Sequence, residues 1–336
     1  MIDRLALSMS FLAAAGWGGA ERVFLAGDAS DRSYDRLRLI DRTAVLMDAP
    51  PGQGDDPAQF LAIAKYLSTL NLSAPACLAQ DLSNGFLLLE DLGDDLYAKL
   101  VLQDPAVEQS LYEAAVDVLA HLQCFAPPPG LPNLTASDWA SAAEFALDWY
   151  AFAITGDRAL TTDFHAVLAD LMHRYADGPR VMILRDYHAE NLLWLPNRAG
   201  LGKVGLLDFQ LGQMGQPAYD LVSLLQDARR DVSGQIELAM KARFVVATGV
   251  ENAPFLTAYA VLGAQRALRI LGIFARLCLK GAKPGYLSLI PRVWDHLQRN
   301  LAEPDLAPLA KICADLLPEP TPQALALIGS KCGHFR

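Results

Sequence analysis

The chain has 336 residues, with 28 basic and 38 acidic side chains for a formal net charge of −10, and it is 52% apolar and 20% charged. That composition excludes intrinsic disorder and supplies a large core, while the acidic balance disfavours nucleic acid as the main partner. Eight of the basic residues are lysine, and only Lys65 precedes residue 99.

In chain order, Ile2, Leu5, Met9 and Leu12 recur at helical spacing. Arg4 before the apolar run 5–16 also resembles a leader sequence, but the periodicity favours an amphipathic helix. Residues 23–26, 34–40 and 43–49 read as three consecutive strands, and Pro50-Pro51-Gly52 ends the third. Asp55 or Asp56 caps a helix over 57–70, with Pro57 in its first turn. Segments 76–80 and 85–90 form a hairpin around Ser83-Asn84-Gly85. From about residue 95 the chain is mostly helical, with helices expected at 106–125, 140–154, 162–175, 218–228 and 233–248, and more in the last third. Two short apolar strands, 181–184 and 192–195, flank a polar loop, and a third, 204–207, runs into Asp208-Phe209-Gln210. The five cysteines are widely spaced and form no CxxC pair, which predicts a reduced cytoplasmic protein without a zinc site. No uncharged apolar run reaches the roughly 18–20 residues of a membrane span; residues 259–279 come closest, interrupted by Arg266, Arg269 and Arg276.

The chemistry concentrates in Asp186, Asn191 and Asp208. Asp186 follows one buried strand, Asn191 opens the next, and Asp208 ends a strand able to pair with it. Two carboxylates and an amide oxygen at one sheet edge suit Mg²⁺, which takes oxygen ligands and shares them with substrate phosphates. A carboxylate left off the metal can deprotonate a hydroxyl. The expected division is Asp186 as catalytic base with Asn191 and Asp208 on metal, the arrangement of kinase-type phosphoryl transfer. His188 is read as a structural hydrogen-bonding residue of the loop.

Arg185-Asp186-Tyr187-His188-Ala189-Glu190-Asn191 with Leu206-Leu207-Asp208-Phe209-Gln210 resembles the catalytic and metal motifs of the aminoglycoside phosphotransferase/choline kinase-like superfamily. Gln216–Leu221 resembles the helix start after its metal loop. Residues 88–93 (Leu-Leu-Glu-Asp-Leu-Gly) resemble its interlobe hinge, which brings Glu90 and Leu92 to the nucleotide. The resemblance implies an α+β, two-lobed protein-kinase-like fold, with a small antiparallel-sheet N-lobe at 1–93 and a large, mostly helical C-lobe at 94–336. It also implies ATP and Mg²⁺ as cofactors and a small-molecule alcohol or sugar as acceptor, with no nucleic-acid or membrane partner. A narrower resemblance, carried by Gly27-Asp28-Ala29-Ser30, Arg32, Arg36, Met47-Asp48-Ala49-Pro50 and the segments 263–266 and 271–277, is to bacterial anomeric amino-sugar kinases. Those enzymes phosphorylate N-acetylmuramate and N-acetylglucosamine at C1 in cell-wall recycling. Choline- or aminoglycoside-type kinases and a silent nucleotide-binding pseudokinase are the alternatives.

One departure stands out. Kinases of the common pattern carry a lysine on the third strand, paired with a glutamate on the following helix. Here Met47 or Asp48 occupies the lysine position, and 57–70 contains no glutamate. Loop amides around Ser30, with Arg32 or Arg36, are the expected replacement for gripping phosphate. For the acceptor, Arg229, Arg266 and Glu144 are the candidates, since a lactyl carboxylate favours a nearby cation, whereas Trp149 and Tyr150 are read as core.

Overall fold

Alternating apolar residues in the N-terminal third build an antiparallel sheet. The computed structural model describes residues 4–27, 32–54 and 56–335. Its first elements are helix α1 (Arg4–Ala14), strands β1 (Glu21–Ala26), β2 (Ser33–Leu39) and β3 (Arg42–Asp48), helix α2 (Pro57–Thr69), and strands β4 (Cys77–Asp81) and β5 (Phe86–Glu90). The strands lie in the order β1-β2-β3-β5-β4, each neighbour antiparallel. Leu37, Ala44, Leu46, Phe86 and Leu88 share one face and bury it against Phe11, Leu12 and Trp17. By the same alternation Tyr34, Arg36, Val45 and Met47 lie on the other face.

Helix α1 forms, but its buried side differs from the expected stripe. Leu5 and Met9 are exposed, while Ser8, Phe11 and Leu12 are buried. Ser8 tolerates burial because its hydroxyl donates to Leu5 O (2.9 Å) and accepts from Arg22 (2.9 Å). Asp56, one of the two expected caps, accepts from Ala58 N at the start of α2. The hairpin turn is held by Asp81, which accepts from Ser83 and Asn84. Gly85 follows at φ +76°, and a Cβ there would lie 1.9 Å from Ala49 O, so only glycine fits.

The chain divides into two compact units, and the division is not linear. The first joins Met1–Val118 to Leu184–Gly212, and the second joins Leu119–Ile183 to Gln213–Arg336. The boundary drawn from sequence at residue 93 therefore differs from the packing. After the sheet, α3 (Tyr97–Gln103) and α4 (Glu108–Leu122) follow. Next in the chain come α5 (Ala136–Ala143), α6 (Phe152–Thr155), α7 (Thr162–Leu171) and β6 (Val181–Ile183). Strands β7 (Leu192–Trp194) and β8 (Val204–Leu206) then pair with each other. They belong to the first unit because Trp194 N donates to Asp95 O (2.8 Å), Ala98 N to Ala189 O (3.0 Å) and Leu206 N to Ser73 O (2.8 Å).

The second unit is helical apart from β6, which pairs antiparallel with β9 (Gln213–Gly215), a strand not expected from sequence. Its remaining helices are α8 (Tyr219–Leu225), α9 (Gly234–Thr248), α10 (Asn252–Leu279), α11 (Ile290–Leu301), α12 (Ala307–Leu316) and α13 (Pro322–Ser330). The helix expected at 140–154 is instead α5, a π-helical turn at Ala146–Ala151, and α6. A second π turn, Met172–Ala176, extends α7. Helix α10 is long and apolar enough to cross a bilayer by length and composition, yet 78% of its most apolar window is buried within the protein. It is a core helix, and Gly272 lets it approach the carbonyl of Phe145.

Candidate active site

The loop 185–191 is anchored at both ends. Arg185 adopts a left-handed φ of +73°, unusual for a residue with a Cβ, and turns the chain sharply after Leu184. Tyr187 is buried and its hydroxyl donates to Ala115 O at 2.8 Å. Asn191 closes the loop: its Nδ2 donates to Asp186 O at 2.9 Å and its backbone N to His188 O at 2.8 Å. His188 is buried with Nε2 3.3 Å from Asn191 Nδ2, in keeping with a structural role. Asp186 itself is half-buried, and among the described residues no hydrogen bond or ion pair engages its carboxylate. It is held through its backbone carbonyl by Asn191.

Pairing of β7 with β8 brings the second acidic residue alongside. Leu192 faces Leu206, and Leu207 N donates to Asn191 O at 3.0 Å, so Asn191 and Asp208 flank one end of this ladder. Asp208 has φ +56°, again left-handed. Its Oδ1 accepts from Gln210 Nε2 at 2.9 Å and Arg32 Nη2 at 3.1 Å, and its side chain is 39% exposed. Phe209 is fully buried and stacks on Phe60 of α2, with ring centroids 4.9 Å apart at 27°.

These residues fit Mg²⁺. Asn191 spends its NH₂ inward, which leaves Oδ1 as a donor to metal, and Asp208 keeps Oδ2. Among the described residues no cluster of three or more His, Cys, Asp or Glu can hold a metal. Two protein oxygens completed by water and phosphate are the coordination Mg²⁺ usually accepts.

The nucleotide-side candidates separate. Ser30 lies outside the described residues. Arg32 is buried and reaches Asp208. Arg36 donates to Asp94 (2.7 Å), Asp91 (3.0 Å) and Gly93 O (3.2 Å), tying β2 to the segment after β5. Its hydrogen bond to Asp94 raises its pKa and lowers that of Asp94. Glu90 pairs with Arg198 at 2.5 Å, and Leu92 lies against Gly205. At the vacant lysine position Met47 is buried between Tyr34 and Leu87 in the register, and Asp48 is paired with Arg4. Lys65 is exposed on α2.

The acceptor candidates all lie in the helical unit. Glu144 is 2.7 Å from His165 Nδ1. The backbone N of Arg229 donates to Asp227 at 2.8 Å. Arg266, 7% exposed, donates to Ser223 Oγ at 2.7 Å and has no carboxylate partner among the described residues. Tyr150 is core, as expected. Sequence reasoning missed Phe60 and Gln210. The Phe-Gln pair after Asp208 marks the segment, but nothing local ties Phe209 to a ring 149 positions earlier.

With this geometry in hand, residues 21–260 match the phosphotransferase enzyme family, APH. The chain belongs to this family. A Caulobacter vibrioides protein named N-acetylmuramate/N-acetylglucosamine kinase is 38% identical over 345 residues, covering 91% of this chain and 95% of that one. A Pseudomonas aeruginosa protein of the same name is 35% identical, covering 90% and 91%. Among solved structures, a choline/ethanolamine kinase family protein from Mesorhizobium loti superposes with a TM-score of 0.60 at 14% identity, over 98% of this chain and 100% of that one. The fold is thus the protein-kinase-like fold, and the chain is a phosphotransferase, a class that implies ATP use.

Proposed function

We propose that this phosphotransferase transfers the γ-phosphoryl group of ATP to the anomeric hydroxyl of N-acetylmuramate and N-acetylglucosamine, in the cytoplasm and with Mg²⁺. The observation that carries the catalytic part is the unpartnered Asp186 carboxylate, braced through its own backbone by Asn191 beside Asp208. The sugar assignment rests on the two relatives, each matching about nine-tenths of this chain. The cytoplasmic assignment is supported by five cysteines that are all free thiols.

In the transfer, Asp186 orients the acceptor hydroxyl and takes its proton as the oxygen bonds to phosphorus and the bond to the departing ADP breaks. Mg²⁺, when bound, supplies positive charge that neutralises the phosphate oxygens. Asn191 and Asp208 would hold it, and Gln210 fixes the carboxylate of Asp208 from the side.

Purified protein incubated with Mg-ATP and each sugar should release ADP, and Asp186→Ala should lower kcat by roughly 10²–10⁴-fold while the fold is retained. Turnover of choline or an aminoglycoside in place of both sugars overturns the substrate assignment. The apolar Met47 at the lysine position favours one rival, a nucleotide-binding protein without turnover. That rival predicts no ADP release and no difference between Asp186→Ala and the parent.

A further inference from the structure

An imidazole from α7 joins two polar residues of α5. Ser137 lies in the first turn of α5 and Glu144 is its C-terminal cap residue. Seven positions of helix put them on one face, about 10 Å apart along the axis. Helix α5 packs against α7, with Ala140 and Ala143 buried. His165 of α7 fills the space between the two polar residues. Its Nδ1 is 2.7 Å from Glu144 Oε1, and its Nε2 is 3.0 Å from Ser137 Oγ.

The carboxylate sets the tautomer. Ionised, Glu144 can only accept, so Nδ1 carries the hydrogen, and in the neutral ring Nε2 is left as an acceptor facing the Ser137 hydroxyl. The hydroxyl therefore donates to His165, which is the direction that activates it as a nucleophile. His165 and Glu144 are half-buried, whereas Ser137 is exposed. The first turn is fixed by a capping box in which Thr135 Oγ1 accepts from Asp138 N. The Asp138 carboxylate is taken up by Thr135 N at 2.8 Å and Thr135 Oγ1 at 2.7 Å. The N–H groups of Ala136 and Ser137 precede the intrahelical ladder and lie at the positive end of the helix, where a developing oxyanion is stabilised.

We propose that Ser137, His165 and Glu144 form a second active site that cleaves small carboxylic esters through an acyl-serine. Ser137 Oγ attacks the ester carbonyl carbon as its proton passes to His165 Nε2. The bond from that carbon to the alcohol oxygen then breaks, and the departing oxygen takes the proton from His165. Water enters by the same route, giving its proton to His165 and its oxygen to the acyl carbon. The carboxylic acid leaves and the Ser137 hydroxyl is restored. Glu144 is a positioning residue that holds the imidazole in the required tautomer. Exposure of Ser137 suits a small acyl group reached directly from solvent. The site uses none of Asp186, Asn191 and Asp208, so it stands or falls apart from the kinase reading.

The probe is p-nitrophenyl acetate. The full-length protein should release a burst of p-nitrophenol of about one equivalent per chain, followed by slower steady hydrolysis. Peptide mass spectrometry should find the acetyl group on Ser137. Ser137→Ala should abolish the burst and the acetylation while leaving ADP release from Mg-ATP with amino sugar unchanged. His165→Gln should slow acylation roughly 10²–10⁴-fold, and it carries the test alone if Ser137→Ala is unstable. Glu144→Gln should slow acylation and move the His165 hydrogen from Nδ1 toward Nε2 in nitrogen NMR, a readout that lost packing does not change. The inference is overturned if Ser137→Ala keeps the parent's burst, or if the acetyl group sits on exposed Cys77 or Cys124 and not on Ser137. It is equally overturned if the parent cleaves the ester no faster than His165→Gln.

Discussion

Helix α2 touches the residue after Asp208 through a ring rather than a charge, and Phe60→Leu tests what that ring does. Phe60 is 4% exposed and Phe209 fully buried, with their rings stacked at 4.9 Å. Leucine keeps most of the apolar burial but forfeits the stacking, worth about 0.5–1.5 kcal/mol. Asp208, the residue before Phe209, sits at φ +56°. A non-glycine residue in that region costs on the order of 1–3 kcal/mol and persists only where its neighbours over-determine it. The lost stacking is therefore comparable to the strain it helps to hold. Phe60→Leu should lower unfolding free energy by about 1 kcal/mol, and should raise the Mg²⁺ concentration for half-maximal ADP release by roughly 5-fold, the equivalent of 1 kcal/mol at the metal ligand. Ile63→Val is the control: Ile63 is equally buried on α2, and the change costs about 0.5–1.5 kcal/mol of stability. Urea unfolding measures the first quantity and a Mg²⁺ titration of activity the second. If Ile63→Val shifts the Mg²⁺ requirement as much as Phe60→Leu, or if neither shifts it, the ring does not position Asp208.

Two further outcomes concern the helical unit. Gly272→Ala puts a Cβ 2.1 Å from Phe145 O, so α10 must move, at a cost of about 1–3 kcal/mol or more seen as a lower urea midpoint; Gly234→Ala, in open space in the first turn of α9, should be neutral or stabilising by about 0.5–1 kcal/mol. Burial, with help from Arg299, pushes the pKa of His296 down to about 4 from 6.5, against the opposing pull of Asp227 O and Glu237 and with Arg292 nearby. Its folded pKa lies below its unfolded one, so its contribution is complete above pH 6.5 and is lost as pH falls toward 4, amounting to about 2 kcal/mol by pH 5. The stability difference between pH 7 and pH 5 should shrink by that amount in His296→Gln, and an unchanged difference refutes a neutral buried His296.

What was legible in the sequence follows its range. The sheet strands show because alternation and turn chemistry are local: Asn84-Gly85 marks the hairpin, and the run through Leu46 and Met47 marks β3. The catalytic loop shows because Asp186 and Asn191 are polar interruptions between apolar strands. The buried side of α1 does not show, because Ser8 is accommodated by Arg22 on another element. Strand β9 is three residues with no period to detect, and its partner β6 lies thirty positions earlier. The π turns at 146–151 and 172–176 leave helical periodicity almost intact and so pass as continuous helix. Arg32 and Arg36 are alike in sequence, and only partners 176 and 55 to 58 positions away distinguish them.

The scarcity of lysine in the first third then has a physical account. In the common arrangement one lysine–glutamate pair performs two tasks, presenting a cation to phosphate and fixing a helix against the sheet. Here β3 carries no lysine and α2 no glutamate. The helix is fixed by Phe60 on Phe209, an apolar contact with no desolvation penalty. Arg32, one residue before β2, forms an ion pair with Asp208. Losing lysine alone would have stranded a buried glutamate, and losing glutamate alone would have stranded a lysine. Losing both leaves the apolar Met47 in a buried position, with Asp48 paired with Arg4 and Lys65 facing water. The two contacts meet at adjacent residues, Arg32 on Asp208 and Phe60 on Phe209.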